Sequence, residues 1–303
     1  MPNTSPTLQD WLSAFRLRTL PLAFSGIGLG AFLAASLQRF NLWICLLSLL
    51  TTLFLQVLSN LANDYGDSVH GADSETRKGP QRAVQKGTIT ASQMLKAIYI
   101  CSAFAFITGL TLLLVALQNL TDILIFLGLG VLAIIAAITY TAGKRPYGYA
   151  GLGDLSVLIF FGGVAVLGSV YLHAHTLKWL FLLPALSAGA FAVGVLNINN
   201  IRDIDSDQQA GKKSIPVRIG RKNAIYYHWF LLLAGISSTV VYASQQFTSP
   251  VQWLFLLAIP LFIHNGRQVS RFAQEPRQID PYLKQMALST LLFVLLFGIG
   301  SLL

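Results

Sequence analysis

The sequence predicts an all-α, polytopic membrane protein with nine transmembrane helices, and three observations carry that prediction. Apolar residues make up 54% of the 303-residue chain and charged residues only 11%, with a mean hydropathy of +0.62. Soluble domains carry about 25% charged residues. Nine apolar runs approach the roughly 20 residues needed to cross about 30 Å of hydrocarbon. Lysine and arginine gather on alternate connections between those runs. Together these features exclude a water-soluble enzyme, a disordered chain and an ordinary nucleic-acid binder. The lipid bilayer is the expected partner, and no nucleic acid is.

The runs fall at about 20–37, 42–63, 92–117, 122–142, 153–172, 177–199, 225–243, 250–265 and 283–303. The first has the small residues Ala31, Ala34, Ala35 and Ser36 near its end, as a cleaved signal peptide would. Its polar lead-in is long, however, and no soluble domain follows, so it reads as a retained helix. The eighth is short and contains Pro260. Cys45 and Cys101 both lie inside apolar runs without ligand spacing and read as packing residues.

Basic residues fix the expected orientation. Nineteen of the 21 fall on one side, leaving only Arg39 and Lys178 on the other. Lys and Arg are retained on the cytoplasmic side, which predicts a cytoplasmic N-terminus, an outer C-terminus and a multi-pass protein of the cell membrane. The outer connections, 38–41, 118–121, 173–176 and 244–249, are short. Two inner loops, 64–91 and 200–224, are much longer. Long loops on one face of a bundle are where function concentrates.

Acidic residues are scarce, so their placement is informative. Seven of the twelve form two clusters, Asp64, Asp67, Asp73 and Glu75 in one and Asp203, Asp205 and Asp207 in the other. Each cluster follows an even-numbered run on the basic side. Asn60, Asp64 and Asp67 share one face of a continuing helix, as do Asn199, Asp203 and Asp207, with Asn200 beside them and Asp205 pointing away. Like charges this close repel and require neutralisation. Carboxylate and amide oxygens, with no Cys or His, suit Mg²⁺. Mg²⁺ held by few carboxylates completes its octahedron with water and substrate phosphates. Arg77, Lys78 and Arg82 after the first cluster, and Lys212 and Lys213 after the second, supply the other half of a diphosphate site. The similarity of the clusters suggests two related four-helix halves, about 16–145 and 150–270, plus one further helix, within a single domain.

Smaller features are less decisive. Tyr140 and Lys144 are spaced i, i+4 and either face a pocket or form an interfacial pair. Asp154 begins a helix and suits its positive end. Arg16 and Arg18, before the first helix, read as a positive-inside anchor. His173 and His175 lie on the outer side, away from the acids.

Asn63-Asp64-Tyr65-Gly66-Asp67 and Asp203-Ile204-Asp205-Ser206-Asp207 carry a resemblance to the UbiA superfamily of intramembrane prenyltransferases. That superfamily has an Asn-Asp-xx-Asp type motif after helix 2 and an Asp-xxx-Asp motif after helix 6. The resemblance covers essentially the whole chain, including Tyr140 and Lys144, and implies a UbiA-type bundle. Within the superfamily the chain is most similar to the branch acting on 1,4-dihydroxy-2-naphthoate, on four stretches: Arg16 to Pro21; Gly79 to Arg82; Asn199 to Asp203 with Gly211, Lys212 and Lys213; and the run 288–300. Leu17 stands where that branch often has proline.

The resemblance implies Mg²⁺, two ions, held by Asp64, Asp67, Asp203 and Asp207 and assisted by Asn60, Asn63, Asn199 or Asn200. These would bind the diphosphate of an allylic polyprenyl donor. The electron-rich ring of dihydroxynaphthoate would attack the resulting cation with loss of its carboxylate, giving demethylmenaquinone. Arg82 and Lys144 are candidates for diphosphate or acceptor-carboxylate contacts, with Arg16, Arg77, Lys78, Arg202, Lys212 and Lys213 as further substrate contacts and Tyr140 as a catalytic candidate. A 4-hydroxybenzoate prenyltransferase of the same superfamily is the nearest alternative. A CDP-alcohol phosphotransferase would require an Asp-Gly-xx-Ala-Arg segment, which is absent. A cation-coupled transporter would place its acids near the bilayer midplane.

Overall fold

The computed structural model describes residues 6–70 and 81–303; Asp73, Glu75, Arg77 and Lys78 lie outside them. Its helices, in order, are α1 (Leu8–Phe15), α2 (Leu20–Ser36), α3 (Leu42–Val69), α4 (Ala91–Ala116), α5 (Leu120–Thr139), α6 (Gly153–Val157), α7 (Gly168–Ala174), α8 (Leu182–Arg202), α9 (Ile204–Gln209), α10 (Ile215–Gln245), α11 (Ile259–Phe272), α12 (Pro276–Ile279) and α13 (Pro281–Leu302). A π-helical segment, Leu158–Leu167, joins α6 to α7 as one rod. No strand occurs among the described residues.

Among the described residues, eight helical segments are long and apolar enough to cross a membrane. The expected span at 250–265 differs from the other eight. It is a 3₁₀ segment, Pro250–Ala258, running into α11, with Pro260 at the junction. Proline lacks an N–H and is tolerated in a helix only within its first turn. The segment is therefore built as two short helices, and eight rather than nine candidate spans are found among the described residues.

Side-chain caps open two of the long helices. Asn41 Oδ1 accepts from the backbone of Trp43 and Ile44 to open α3, and Thr90 forms a reciprocal box with Gln93 to open α4. Helix α3 has 28 residues, about 42 Å at 1.5 Å per residue, against about 30 Å of hydrocarbon. Its last turns carry Asp64 and Asp67 of the first acidic cluster. Helix α10 is kinked at Gly220, whose φ of 78° is open to glycine.

The larger core lies between α2, α8, α10, α11 and α13. Phe191 stacks on Phe262 with centroids 4.4 Å apart, and Phe293 meets Phe191, Phe255 and Phe262 edge-on. The first and last long helices are neighbours: a Cβ on Gly298 of α13 would overlap the ring of Phe32 in α2. A smaller core joins α1, α3, α4 and α5. Between the π-helical segment and α8 the backbones touch at Gly162 and Gly189, where an added Cβ would lie 2.5 Å from the Ala185 carbonyl oxygen. Small residues permit such close contacts where no hydrophobic force drives helices together in lipid. Helix α5, by contrast, has no buried residue.

Candidate active site

A cavity of about 430 Å³ opens between α2, α3, α4, α5, the α6–α7 rod and α8. Its two ends differ in chemistry. Asn60, Asn63, Asp67, Arg82, Tyr140, Tyr149, Asn199, Asn200, Asp203, Asp207, Lys212 and Arg16 line one end. Leu110, Leu113, Phe126, Leu127, Phe160, Phe161 and Val164 are among those lining the deeper part. The two acidic segments, some 140 residues apart in sequence, therefore converge on one chamber.

Asp67 is the hub of the polar end. Tyr149 Oη donates to its Oδ1 at 2.7 Å, Lys212 Nζ approaches the same oxygen at 3.0 Å, and Arg82 pairs with Oδ2. Lys212 also reaches Asp207 Oδ1 at 3.3 Å and sits 4.8 Å above the Tyr149 ring. One ammonium thus bridges the first acidic cluster to the second. The loops that place it are stitched together, since the Lys213 N–H donates to the Tyr149 carbonyl at 2.9 Å. Arg82 also donates to the Asn63 carbonyl at 2.7 Å, which fixes its loop against α3.

Burial pushes the Asp207 carboxyl up to about 6; Lys212 pulls against that, while Asp203 and Asp67 reinforce it. Burial, with nearby carboxylates, raises Tyr140 and Tyr149 well above the usual phenol range, so both remain neutral donors.

The second cluster is held differently. Arg202 Nε donates to Asp203 Oδ1 at 2.8 Å and Nη2 to Oδ2 at 2.6 Å, a two-pronged clamp. Nη2 also donates to Asn199 Oδ1 at 2.7 Å, and Nη1 pairs with Asp280. Asp205 points outward to Arg221, as the helical spacing predicts.

Several expectations need correction. The cavity-facing row on α3 is Asn60, Asn63 and Asp67; Asp64 is buried beside it, with Oδ2 accepting from the Ala83 N–H at 3.2 Å. Lys144 is exposed and does not line the cavity. Helix α5 ends at Thr139 and the chain turns at Gly143 (φ 102°), so the helical spacing that would align Lys144 with Tyr140 is lost. Lys213 is likewise exposed, its backbone rather than its side chain serving the site. Arg202 is spent on Asp203, Asn199 and Asp280 and is absent from the lining. Asn60 Nδ2 is engaged by the Phe15 carbonyl and Thr19, which anchors the N-terminal segment over the site. Arg18 is more than an anchor to the membrane surface, since it pairs with Asp280 at 3.0 Å. Arg77 and Lys78 lie outside the described residues.

Sequence reasoning missed Tyr149, Thr141 and Asp280. Tyr149 follows closely spaced tyrosines and glycines without a charge pattern, and the role of Asp280 depends on contacts to residues 78 and 262 positions away.

The donors suit a hard divalent cation. They are oxygen throughout, and Asp64 Oδ1 is buried without a hydrogen-bond partner among the described residues. Among the described residues no three acidic, imidazole or thiol groups converge into a ready metal cluster.

A family profile described as the UbiA prenyltransferase family matches residues 23–300. The chain is 48% identical to an Escherichia coli 1,4-dihydroxy-2-naphthoate octaprenyltransferase, over 96% of this chain and 94% of that protein. It is 44% identical to the Haemophilus influenzae protein of the same description, over 97% and 96%. Among solved structures, the apo UbiA homologue of Aeropyrum pernix K1 aligns with a TM-score of 0.66 at 19% identity, covering 93% of this chain and 96% of that one. An Archaeoglobus fulgidus homologue bound to GPP and Mg²⁺ aligns at 0.59 with 16% identity, covering 96% and 99%. With a profile match over nearly its whole length and two close relatives of like size, the chain belongs to the UbiA prenyltransferase family.

Proposed function

We propose that this chain transfers a polyprenyl group from an allylic polyprenyl diphosphate to 1,4-dihydroxy-2-naphthoate with loss of the acceptor carboxylate as CO₂, giving demethylmenaquinol, the reduced form of demethylmenaquinone. The observation that carries the reading is the division of one cavity into a charged end and an apolar chamber. A diphosphate fits the first and a polyprenyl tail the second. The acceptor is supported by the two closely similar relatives named for that substrate. The basic bias of the loops supports a cavity mouth at the cytoplasmic face of the cell membrane. The paired acidic segments support one domain built from two related halves.

Asp64, Asp67, Asp203 and Asp207 would hold Mg²⁺, two ions in this reading, whose charge when bound stabilises the departing diphosphate. Arg82, Lys212 and Arg16 stand at the same end and would donate to the diphosphate oxygens as the allylic C–O bond breaks. The Tyr140 and Tyr147 rings, edge to face at 5.4 Å, line the cavity and offer π density to the allylic cation. The chamber walls exclude water, so the naphthoate ring rather than hydroxide captures the cation.

The test uses membranes containing the protein, supplied with Mg²⁺, a polyprenyl diphosphate and either 1,4-dihydroxy-2-naphthoate or 4-hydroxybenzoate. The expected result is prenylated naphthoquinol with one CO₂ released per product. Asp64→Asn and Asp203→Asn should abolish turnover in protein that still inserts and folds. Prenylation of 4-hydroxybenzoate alone, without CO₂, refutes the assigned acceptor.

A further inference from the structure

We propose that Asp280 is a positioning residue for the second acidic segment, acting on Asp203 through Arg202. The inference rests on the metal-binding reading above, and its basis is one continuous chain of contacts. Asp280 immediately precedes α13, far from both acidic clusters in sequence. Its Oδ1 accepts from Arg202 Nη1, and its Oδ2 accepts from Arg18 Nη1 at 3.0 Å. Arg202 is buried, with a side chain 1% exposed, and its remaining nitrogens grip both oxygens of Asp203 and the amide oxygen of Asn199. Asp203 and Asn199 line the cavity, whereas Arg202 does not. Asp280 therefore governs the cavity carboxylate without standing among the lining residues.

The charge arrangement says what this governs. A buried guanidinium clamped on one carboxylate would neutralise it and weaken its hold on a cation. Here the guanidinium is shared between two carboxylates, so Asp203 keeps part of its negative charge while its orientation is fixed. Arg18, 37% exposed, pairs with Asp280 from the opposite side and offsets some of that effect. Groups that orient a metal ligand typically change metal affinity 10- to 100-fold when altered.

Opposed substitutions test the inference, with Mn²⁺ as the probe. Binding of Mn²⁺ to the purified protein in detergent, without substrate, is followed by electron paramagnetic resonance. Asp280→Asn leaves the full Arg202 charge on Asp203 and should weaken Mn²⁺ binding about tenfold. Arg18→Gln frees Asp280 to draw more of the Arg202 charge and should tighten it about twofold, the smaller change reflecting an exposed pair. Asp280→Glu should restore binding. A purely structural staple predicts that the first two variants move together, or that neither moves binding. Either outcome overturns the inference, and because Arg18→Gln retains the buried Arg202 pair, it remains informative if Asp280→Asn fails to fold. Asp203→Asn separates the two readings. If it still binds Mn²⁺ as wild type does, the metal site itself is refuted. If it loses binding while Asp280→Asn does not, only the positioning role is overturned.

Discussion

Gly66 sits in α3 between Asn63 and Asp67, where the helix meets the chain leaving α5. A Cβ built there would lie 2.5 Å from the Thr141 carbonyl carbon and oxygen and 2.7 Å from Thr141 Oγ1. Ordinary contact begins near 3.4 Å, so Gly66→Ala forces the Thr141 segment away by roughly 1 Å, because close-packed interiors have no slack to absorb it. The obstacle is backbone, so no rotamer change relieves it. Thr141 Oγ1 donates to the Ala62 carbonyl at 3.0 Å and lies 3.1 Å from Asn63 Oδ1. The hydroxyl has a single proton, so one donated bond lengthens past use. Overpacking costs about 1–3 kcal/mol and the lost hydrogen bond about 1 kcal/mol, which gives about 3 kcal/mol in total. For a chain of this size that lowers the melting temperature by roughly 6 °C. The displaced segment also carries Tyr149, which holds Asp67, and a shift of about 1 Å at a reacting centre slows turnover about a hundredfold. Thermal unfolding in detergent and the prenyl-transfer rate read the two effects separately. Gly128→Ala, with open space around its Cβ, is the control and should match wild type. Wild-type melting and rate in Gly66→Ala would refute the claim that this contact sets the site.

Three further outcomes follow from the cavity. Tyr149→Phe removes the 2.7 Å bond to Asp67 while keeping the ring beneath Lys212, and should raise the diphosphate KM about threefold to tenfold without unfolding the protein. Asp207→Asn should abolish turnover yet stabilise the metal-free fold. The Asp207 carboxyl, pushed up to about 6, holds its proton more tightly folded than unfolded; its destabilising charge is fully present above that pH and vanishes below the ordinary carboxylate value. The variant should therefore unfold later at pH 7.5, by on the order of 3 kcal/mol, and show no such gain at pH 3; a lower melting temperature at pH 7.5 contradicts this. Val164→Trp narrows the apolar chamber and should lower kcat/KM for an octaprenyl donor about tenfold more than for geranyl diphosphate. Equal losses for both donors would place the tail elsewhere.

The bundle and the convergence of two acidic clusters were legible because they rest on local signals: apolar run length, charge sidedness and helical spacing. The face of α3 that carries Asn60 and Asp67 followed directly from that spacing. Lys144 was misplaced by the same rule, because the rule assumes a helix that in fact stops at Thr139. Pro260 marked a weak span in the sequence, but only the packed chain reveals a 3₁₀ segment giving way to α11 there. Asp280 was silent for a different reason. A single acid before an apolar run reads as a cap, and nothing local announces that two arginines from distant segments will meet it.

The adjacency of α2 and α13 also bears on how the protein is made. Arg202 enters the assembling bundle before its partner Asp280 has been synthesised, and during that interval a cation destined for burial lacks one of its carboxylates. The Phe32 ring of α2 likewise waits for its seat against Gly298 on the last long helix among the described residues. Insertion of α13 therefore closes the bundle against α2 and completes the Arg202 pairing in one event. A nascent chain halted before that point would present an open seam along α2 and an Arg202 lacking one of its two carboxylates.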